Sequence, residues 1–252
     1  MIDSGRLDAA IRSMDGARDF EDAEFALSEI SNAIGMPVLA WAPDVARPAF
    51  NPIMDSFMRR QGWREEDLAL WWDKGAMLKT PVYIRCRTRA MPFVTRIDPL
   101  KADIQPELRR IAASMREMGA ESLITVPVHL PRGQVAMVSF GGLVDMEGAR
   151  AKVAAARPAL VATGHLFMAA YDRIAHLGNS TEEELIRLTP REWECLRLTA
   201  QGCREEEVAT LIRIGATTVR FHLDNVVRKL GASNRLHAVA RAAQLGMLGP
   251  IG

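Results

Sequence analysis

The sequence predicts an α/β sandwich, with a central and mostly antiparallel sheet flanked by helices, followed by a smaller all-α domain of four helices. Three observations carry this reading. Residues 122–130 and 134–140 are both β-rich, and Pro131-Arg132-Gly133 between them is a good hairpin turn. Apolar residues at spacings of three and four mark helices on either side of the short strand-like runs. After Leu188 strand-like alternation stops, and helical periodicity continues to Leu248. The expected division is a first domain over 1–177, a linker over 178–187 and a second domain over 188–252. The linker is the polar, turn-rich stretch that begins Gly178-Asn179-Ser180-Thr181.

In the first domain, Phe20, Ala23, Leu27, Ile30 and Ile34 predict a helix over 20–34, ended by Gly35-Met36-Pro37. Val38-Leu39-Ala40-Trp41 is a short strand. Pro43, Pro48 and Pro52 mark a loop, and Asn51 is placed to cap a helix over 52–60. A second helical stretch covers 65–78 and carries Leu68, Trp71 and Trp72. Thr80-Pro81-Val82-Tyr83-Ile84 reads as the start of a strand, and 92–95 as a second extended piece. Residues 106–118 form a helix closed by Gly119. The alanine-rich stretch 146–176 is a long helix, with Pro158 as its kink or its start. A domain of about 175 residues can bury a core and a ligand as well.

Composition excludes several classes. Hydrophobic residues make 48% and charged residues 25% of 252, and 32 Lys+Arg against 31 Asp+Glu leave a net charge of +1. This is no extended polybasic protein, collagen or disordered acidic chain. No run of eighteen apolar residues occurs, so no membrane span is expected, and the N-terminus has no signal-peptide core. Cys86, Cys195 and Cys203 are odd in number and lack zinc-ligand spacing, which reads as reduced thiols in a cytoplasmic protein without a metal or other cofactor. The neutral total hides a local excess. Between Gly215 and Arg241 the cations Arg220, Arg228, Lys229, Arg235 and Arg241 face one acid, Asp224.

That excess lies in the second domain. Thr189-Pro190-Arg191-Glu192 is a capping-box helix start, and the helix stops at Gly202. A second helix covers 205–212, with Glu205, Glu206 and Glu207 at the positive end of its dipole. After the break at Arg213-Ile214-Gly215, a third helix runs over 217–230 to Gly231. A fourth covers 235–245, with Asn234 or Ser233 as its cap. Two short helices joined by a tight turn, the second rich in cations and hydroxyls, describe a helix-turn-helix. Thr217, Thr218, Arg220 and His222 lie at the start of the third helix, the end that enters the major groove in this motif. On charge alone a solvated helix face is the alternative.

Individual residues carry the reading further. Leu188-Thr189, Arg191-Glu192, Leu196, Ala200, Gly202, Val208-Ala209, Leu211, Thr218-Val219, His222, Lys229-Leu230, Asn234-Arg235 and Ala238 resemble the DNA-binding domain of LuxR-type transcription regulators, over more than sixty residues without a gap. The resemblance implies a homodimer on a palindromic operator in double-stranded DNA. Thr217 and Arg220 are expected at or near base edges. Thr218, His222, Arg228, Lys229 and Arg235 are expected on phosphate or bracing the domain. Two positions depart from the family. Arg204 stands where Thr or Ser usually caps the second helix, a loss of about 1 kcal/mol that the glutamates partly offset. Gly215 replaces the Ser that caps the recognition helix, a tolerable exchange.

The first domain lacks the acidic pair, Asp and Lys of a phosphoacceptor receiver. It resembles, more weakly, the acyl-homoserine-lactone-binding domain of the quorum-sensing members. The similarity is carried by residues 118–129, Gly133, Val138-Ser139-Phe140, Thr80-Pro81-Val82 and Pro92-Phe93. The family's Tyr, Trp and Tyr at four-residue spacing fall on Trp63, Asp67 and Trp71, its Asp falls on Thr80, and its Trp after Pro-Phe falls on Thr95. A position that often holds Ser or Thr remains Ser139. An ionised Asp67 has no proton for a lactone carbonyl. Thr80 can accept from a ligand amide, but without charge assistance. The resemblance therefore implies a small-molecule signal that is not an ordinary acyl-homoserine lactone, with aromatic walls suited to a flat or host-derived molecule. Each residue also has a plainer reading: Trp63, Trp71 and Trp72 as core, Asp67 on a solvent face, Ser139 as structural. Leu123 replaces a family glycine and either narrows the cavity or abolishes it, so a regulator that is independent of ligand, or controlled by a partner protein, stands as the alternative. The histidines His129, His165, His176, His222 and His237 pair with no nucleophile motif, and there is no glycine-rich phosphate loop, so an enzyme is not expected.

Overall fold

A computed structural model describes residues 2–99, 106–175 and 188–248. The expected linker 178–187, and His176 at the expected end of the long helix, lie outside the described residues. Residues 131–133 aside, the chain divides into two compact units, one ahead of the linker region and one after it.

The first unit opens with α1 (Ser4–Asp15), capped by Asp3, where no element was expected; only Leu7, Ala10 and Met14 of it are buried. Helix α2 (Phe20–Ile34) is capped by Asp19 and ends on Gly35, whose φ of +66° a side chain would resist. Strand β1 (Val38–Ala42) follows. Helix α3 (Pro52–Arg60) starts as expected, with Asn51 Oδ1 accepting the Met54 N–H at 3.0 Å. The helix expected over 65–78 is two, α4 (Glu65–Trp71) and α5 (Lys74–Leu78), because the Asp73 carboxylate accepts the Ala76 N–H and starts a new helix.

The strand expected at Thr80–Ile84 is instead helix α6 (Pro81–Thr88). Pro81 stands at the first helical position, where its missing N–H costs nothing. A short apolar run does not separate strand from buried helix, and Tyr83 and Cys86, three apart, are the residues that bury. Strand β2 (Phe93–Arg96), helix α7 (Pro106–Glu117) and the hairpin β3 (Ser122–His129) and β4 (Val135–Gly142) follow expectation, with a single 3-10 turn at Pro131–Gly133. Helix α8 (Met146–Ala175) is kinked at Ala156 (φ −119°, ψ 17°), two residues before Pro158. A ring that clashes with the preceding turn accounts for the break.

The four strands run β1-β4-β3-β2, all antiparallel, with Ser139 opposite both Thr125 and Ala40, and Thr95 opposite Leu123. Helix α8 packs on β3 and β2. A Cβ on Gly164 would lie 2.9 Å from Val126 and Val128, so this glycine sets the close approach. Residues 146–174 of α8 are long and apolar enough to cross a bilayer, but Leu160, Phe167 and Met168 are buried in the core, as in the central helix of a folded domain. The opposite sheet face, carrying Ala40, Thr95, Leu123, Thr125 and Ser139, looks toward α4–α7.

The second unit has the four expected helices, α9 (Pro190–Ala200), α10 (Glu205–Ile212), α11 (Ala216–Lys229) and α12 (Arg235–Gln244). Cys195 of α9 packs with Val208, Ile212, Val219 and Leu223, joining α9 to the helix-turn-helix pair α10–α11. Leu196 packs on Val226, Leu230, Ala238 and Ala242, joining it to α12.

Candidate functional site

In the first unit a cavity of about 260 Å³ opens between the sheet face and α4–α7. Of the six residues proposed from sequence to meet a ligand, four line it together: Trp71, Thr80, Thr95 and Ser139. Leu123 is part of the wall, so its side chain shapes the cavity without abolishing it. Trp63 and Asp67 are not in the lining. Trp63 packs edge-on against Trp71, with ring centroids 5.3 Å apart.

Asp67 is completely buried rather than on a solvent face. Its Oδ2 accepts from Arg64 Nε at 3.1 Å, and its Oδ1 lies 3.7 Å from Arg110 Nε without a hydrogen bond. Arg64 also donates to Ser114 Oγ at 2.8 Å and reaches Glu117, while Arg110 pairs with Glu66. The Asp67 carboxylate thus helps tie α4 to α7 behind the cavity wall.

Arg85 fixes the polarity of one hydroxyl in the cavity. Arg85 Nη1 donates to Thr95 Oγ1 at 3.0 Å and to the Val94 carbonyl at 3.1 Å, with its guanidinium 4.1 Å from the Phe93 ring centroid. Thr95 is thereby an acceptor toward Arg85 and keeps its own proton for another partner. Thr125 and Ser139 hydroxyl oxygens are 2.9 Å apart. Thr125 is fully buried with no other side-chain partner among the described residues, and either hydroxyl of the pair can be the donor. Ser139 also lies 3.9 Å from the Met137 sulfur, a weak acceptor. Thr80 does the reverse of Thr95: it donates to the Ala76 carbonyl at 3.4 Å, does not cap α6, and offers its lone pairs. The sheet wall therefore presents the Thr95 donor beside the Ser139 hydroxyl, and the helix wall an acceptor, within a largely apolar lining. Arg85 and Thr125 were missed by sequence reasoning, since neither position carries a signal of its tertiary partner.

The second unit carries its charge on the surface. The start of α11 exposes Thr217, Thr218 and Arg220, with His222 half-buried. Arg220 is tied to Glu205 of α10 by Nε at 3.1 Å and Nη2 at 3.0 Å, and Arg235 of α12 pairs with the same carboxylate and with Asp224. Exposed Arg228 bonds Asn225 at 2.9 Å. Lys229 instead reaches buried Glu192 at 2.6 Å and braces α11 against α9. Burial alone would raise the Glu192 pKa, but the bonds from Lys229 and Thr189 hold it below the usual carboxylate value. At α10 the missing cap of Arg204 is partly made good: Glu207 Oε2 accepts the Arg204 N–H at 2.7 Å.

Comparison with known proteins follows the same division. Residues 21–193 match the family described as an autoinducer binding domain, and residues 187–242 match bacterial regulatory proteins of the luxR family. The chain is 30% identical over 201 residues to the HTH-type quorum sensing-dependent transcriptional regulator RpaR of Rhodopseudomonas palustris, covering 80% of this chain and 79% of that protein. Its fold is similar to that of Escherichia coli SdiA, with a TM-score of 0.60 at 16% identity, covering 97% of this chain and 98% of that one. It is likewise similar to SdiA in complex with octanoyl-rac-glycerol, with a TM-score of 0.59 at 18% identity, covering 97% and 95%.

Proposed function

The chain belongs to the LuxR family of bacterial regulatory proteins, in the branch with an autoinducer-binding domain, and from that premise we propose how its two units divide the work. It is a DNA-binding transcription regulator controlled by a small molecule. The cavity between the sheet and α4–α7 takes the signal, and the start of α11 reads DNA. A homodimer places two recognition helices on the half-sites of a palindromic operator in the cytoplasm. We assign the chain no catalytic role.

The observation that carries the ligand reading is the pair of hydroxyls, Thr95 and Ser139, that line an apolar cavity, the first with Arg85 donating to it and its own proton uncommitted. The matching ligand has an apolar or aromatic body, acceptor oxygens toward the sheet and a donor toward Thr80. Asp67 is spent on Arg64 and Arg110, and no tryptophan stands at 67 or 95 to donate to a lactone carbonyl. The signal is therefore not an ordinary acyl-homoserine lactone. That SdiA structures include an octanoyl-glycerol complex supports a fold that accepts acyl ligands without a lactone ring. Thermal stabilisation of the purified protein tests this. Octanoyl-glycerol or an aromatic amide should stabilise it more than common acyl-homoserine lactones do, and nanomolar stabilisation by such a lactone would count decisively against the reading.

A second reading rests on the ion cluster around Asp67. It joins α4 to α7 through the protein's own side chains, which supports a regulator that folds and binds DNA unliganded or under a partner protein. A folded, dimeric, operator-binding protein purified without any added ligand would favour it.

A further inference from the structure

Glu205 stands at the first position of α10, where its sequence context marks it as a dipole-favoured residue. Its place in the fold is more particular. Oε2 accepts both Nε and Nη2 of Arg220, from α11, and Oε1 accepts from Arg235, at the start of α12. One carboxylate therefore holds two guanidiniums from two other helices. Its side chain is 17% exposed, whereas that of Arg220 is 63% exposed. Asp224, the other acid on this face, is exposed and touches Arg235 at 3.1 Å.

We propose that Glu205 is a specificity-determining positioning residue for DNA: it holds Arg220 and Arg235 as a pair and withholds their charge from phosphate until the full interface forms. The proposal rests on the DNA-binding reading above. Non-specific binding is almost wholly electrostatic, with cations exchanging counterions along the backbone. A carboxylate already paired with two of those cations competes with phosphate at every site, correct or not. At the operator, base-edge contacts add to the phosphate term and can displace the carboxylate, because ion pairs with an exposed partner are weak. Glu205 thus lowers background binding more than operator binding.

The test uses the full-length chain with Glu205→Gln, which keeps the shape of the side chain and removes its charge. Glu206→Gln is the control. It changes net charge equally on the same helical turn, and Glu206 has an exposed side chain with no ion pair to a cation among the described residues. Fluorescence anisotropy on a random-sequence duplex over a range of salt concentrations is the readout. Glu205→Gln should bind several-fold tighter than wild type, with a log K against log salt slope steeper by about one to two, because each released cation adds about 0.9. Glu206→Gln should stay close to wild type. Equal effects of the two variants, or weaker binding by Glu205→Gln, overturn the proposal. Should Glu205→Gln fail to fold by circular dichroism, Glu205→Ser, a good residue for a helix start, carries the same expectation. If neither wild type nor Glu206→Gln binds any duplex at low salt, the DNA-binding reading itself falls, and the proposal with it.

Discussion

Among the described residues two carboxylates are buried, Glu192 in the second unit and Asp67 in the first, and each is paired with a cation from another helix. Glu192 is satisfied from both directions. Its Oε2 accepts the Thr189 N–H at 2.7 Å and Lys229 Nζ at 2.6 Å, closing a capping box and bracing two helices together. Asp67 is fully buried, yet one of its oxygens has no hydrogen bond, and its partners Arg64 and Arg110 stay about half exposed. The lesson concerns what a buried charge contributes. A carboxylate held by two short charge-assisted bonds is structural, whereas one held by solvated cations is nearly replaceable.

Four outcomes would break or sharpen that contrast. Glu192→Ala should cost the second unit about 3 kcal/mol, the sum of a lost cap and a lost charge-assisted bond. Earlier hydrogen exchange of the α9 amides would report it. Its depressed pKa adds a pH signature. Because the folded value lies below the ordinary carboxylate value of 4.5, the stabilisation is complete above that value and is lost as pH falls through the folded one. Glu192→Ala should therefore flatten the acid limb of stability, and an unchanged acid limb would show that Glu192 is not its source.

Leu123→Ala in the cavity wall should cost about 2 kcal/mol, at the low end for a buried leucine because one side already faces empty space. The enlarged cavity should favour bulkier ligands in the thermal-shift series. Asp67→Asn should move stability by less than about 1 kcal/mol, since the guanidiniums left behind solvate freely. A loss matching that of Glu192→Ala in denaturant titrations would erase the distinction drawn between the two acids. The smallest effect concerns thiols. Burial pushes Cys86 up to about 12, so iodoacetamide should label half-buried Cys203 first and reach Cys86 only on unfolding. Prompt labelling of Cys86 in the folded protein would mean that α6 opens readily.

The same contrast explains what could be read from the chain alone. The second unit is legible because its instructions are local. Thr189 and Glu192 lie three apart, Asn234 caps α12 by accepting the His237 N–H, and Gly202 and Gly231 end helices at positive φ. In the first unit the hairpin and the long helices carried equally local signals. Residues 80–84 did not, because Pro81 suits a helix start as well as an extended segment, and Asp73 gave no sign that it would split 65–78. The site was legible in part. Trp71, Thr80, Thr95 and Ser139 converge on one cavity, while Trp63 and Asp67 turn to other partners. Arg64, Arg85 and Arg110 act through residues ten to fifty positions away or on other helices, and nothing in their spacing announces this.

The register of the hairpin has a further consequence. Thr125 and Ser139 share one sheet face because β3 and β4 pair them, Thr95 joins that face through the separate pairing of β2 with β3, and the β3–β4 alignment is set at the turn Pro131–Gly133. Inserting or deleting a single residue there would rotate the alternation of one strand, sending Ser139 toward α8 and bringing Val138 or Phe140 to the cavity. On the proposed ligand reading, a change in the length of this loop, which is outside the cavity lining, would alter chemical preference without altering any residue of the cavity.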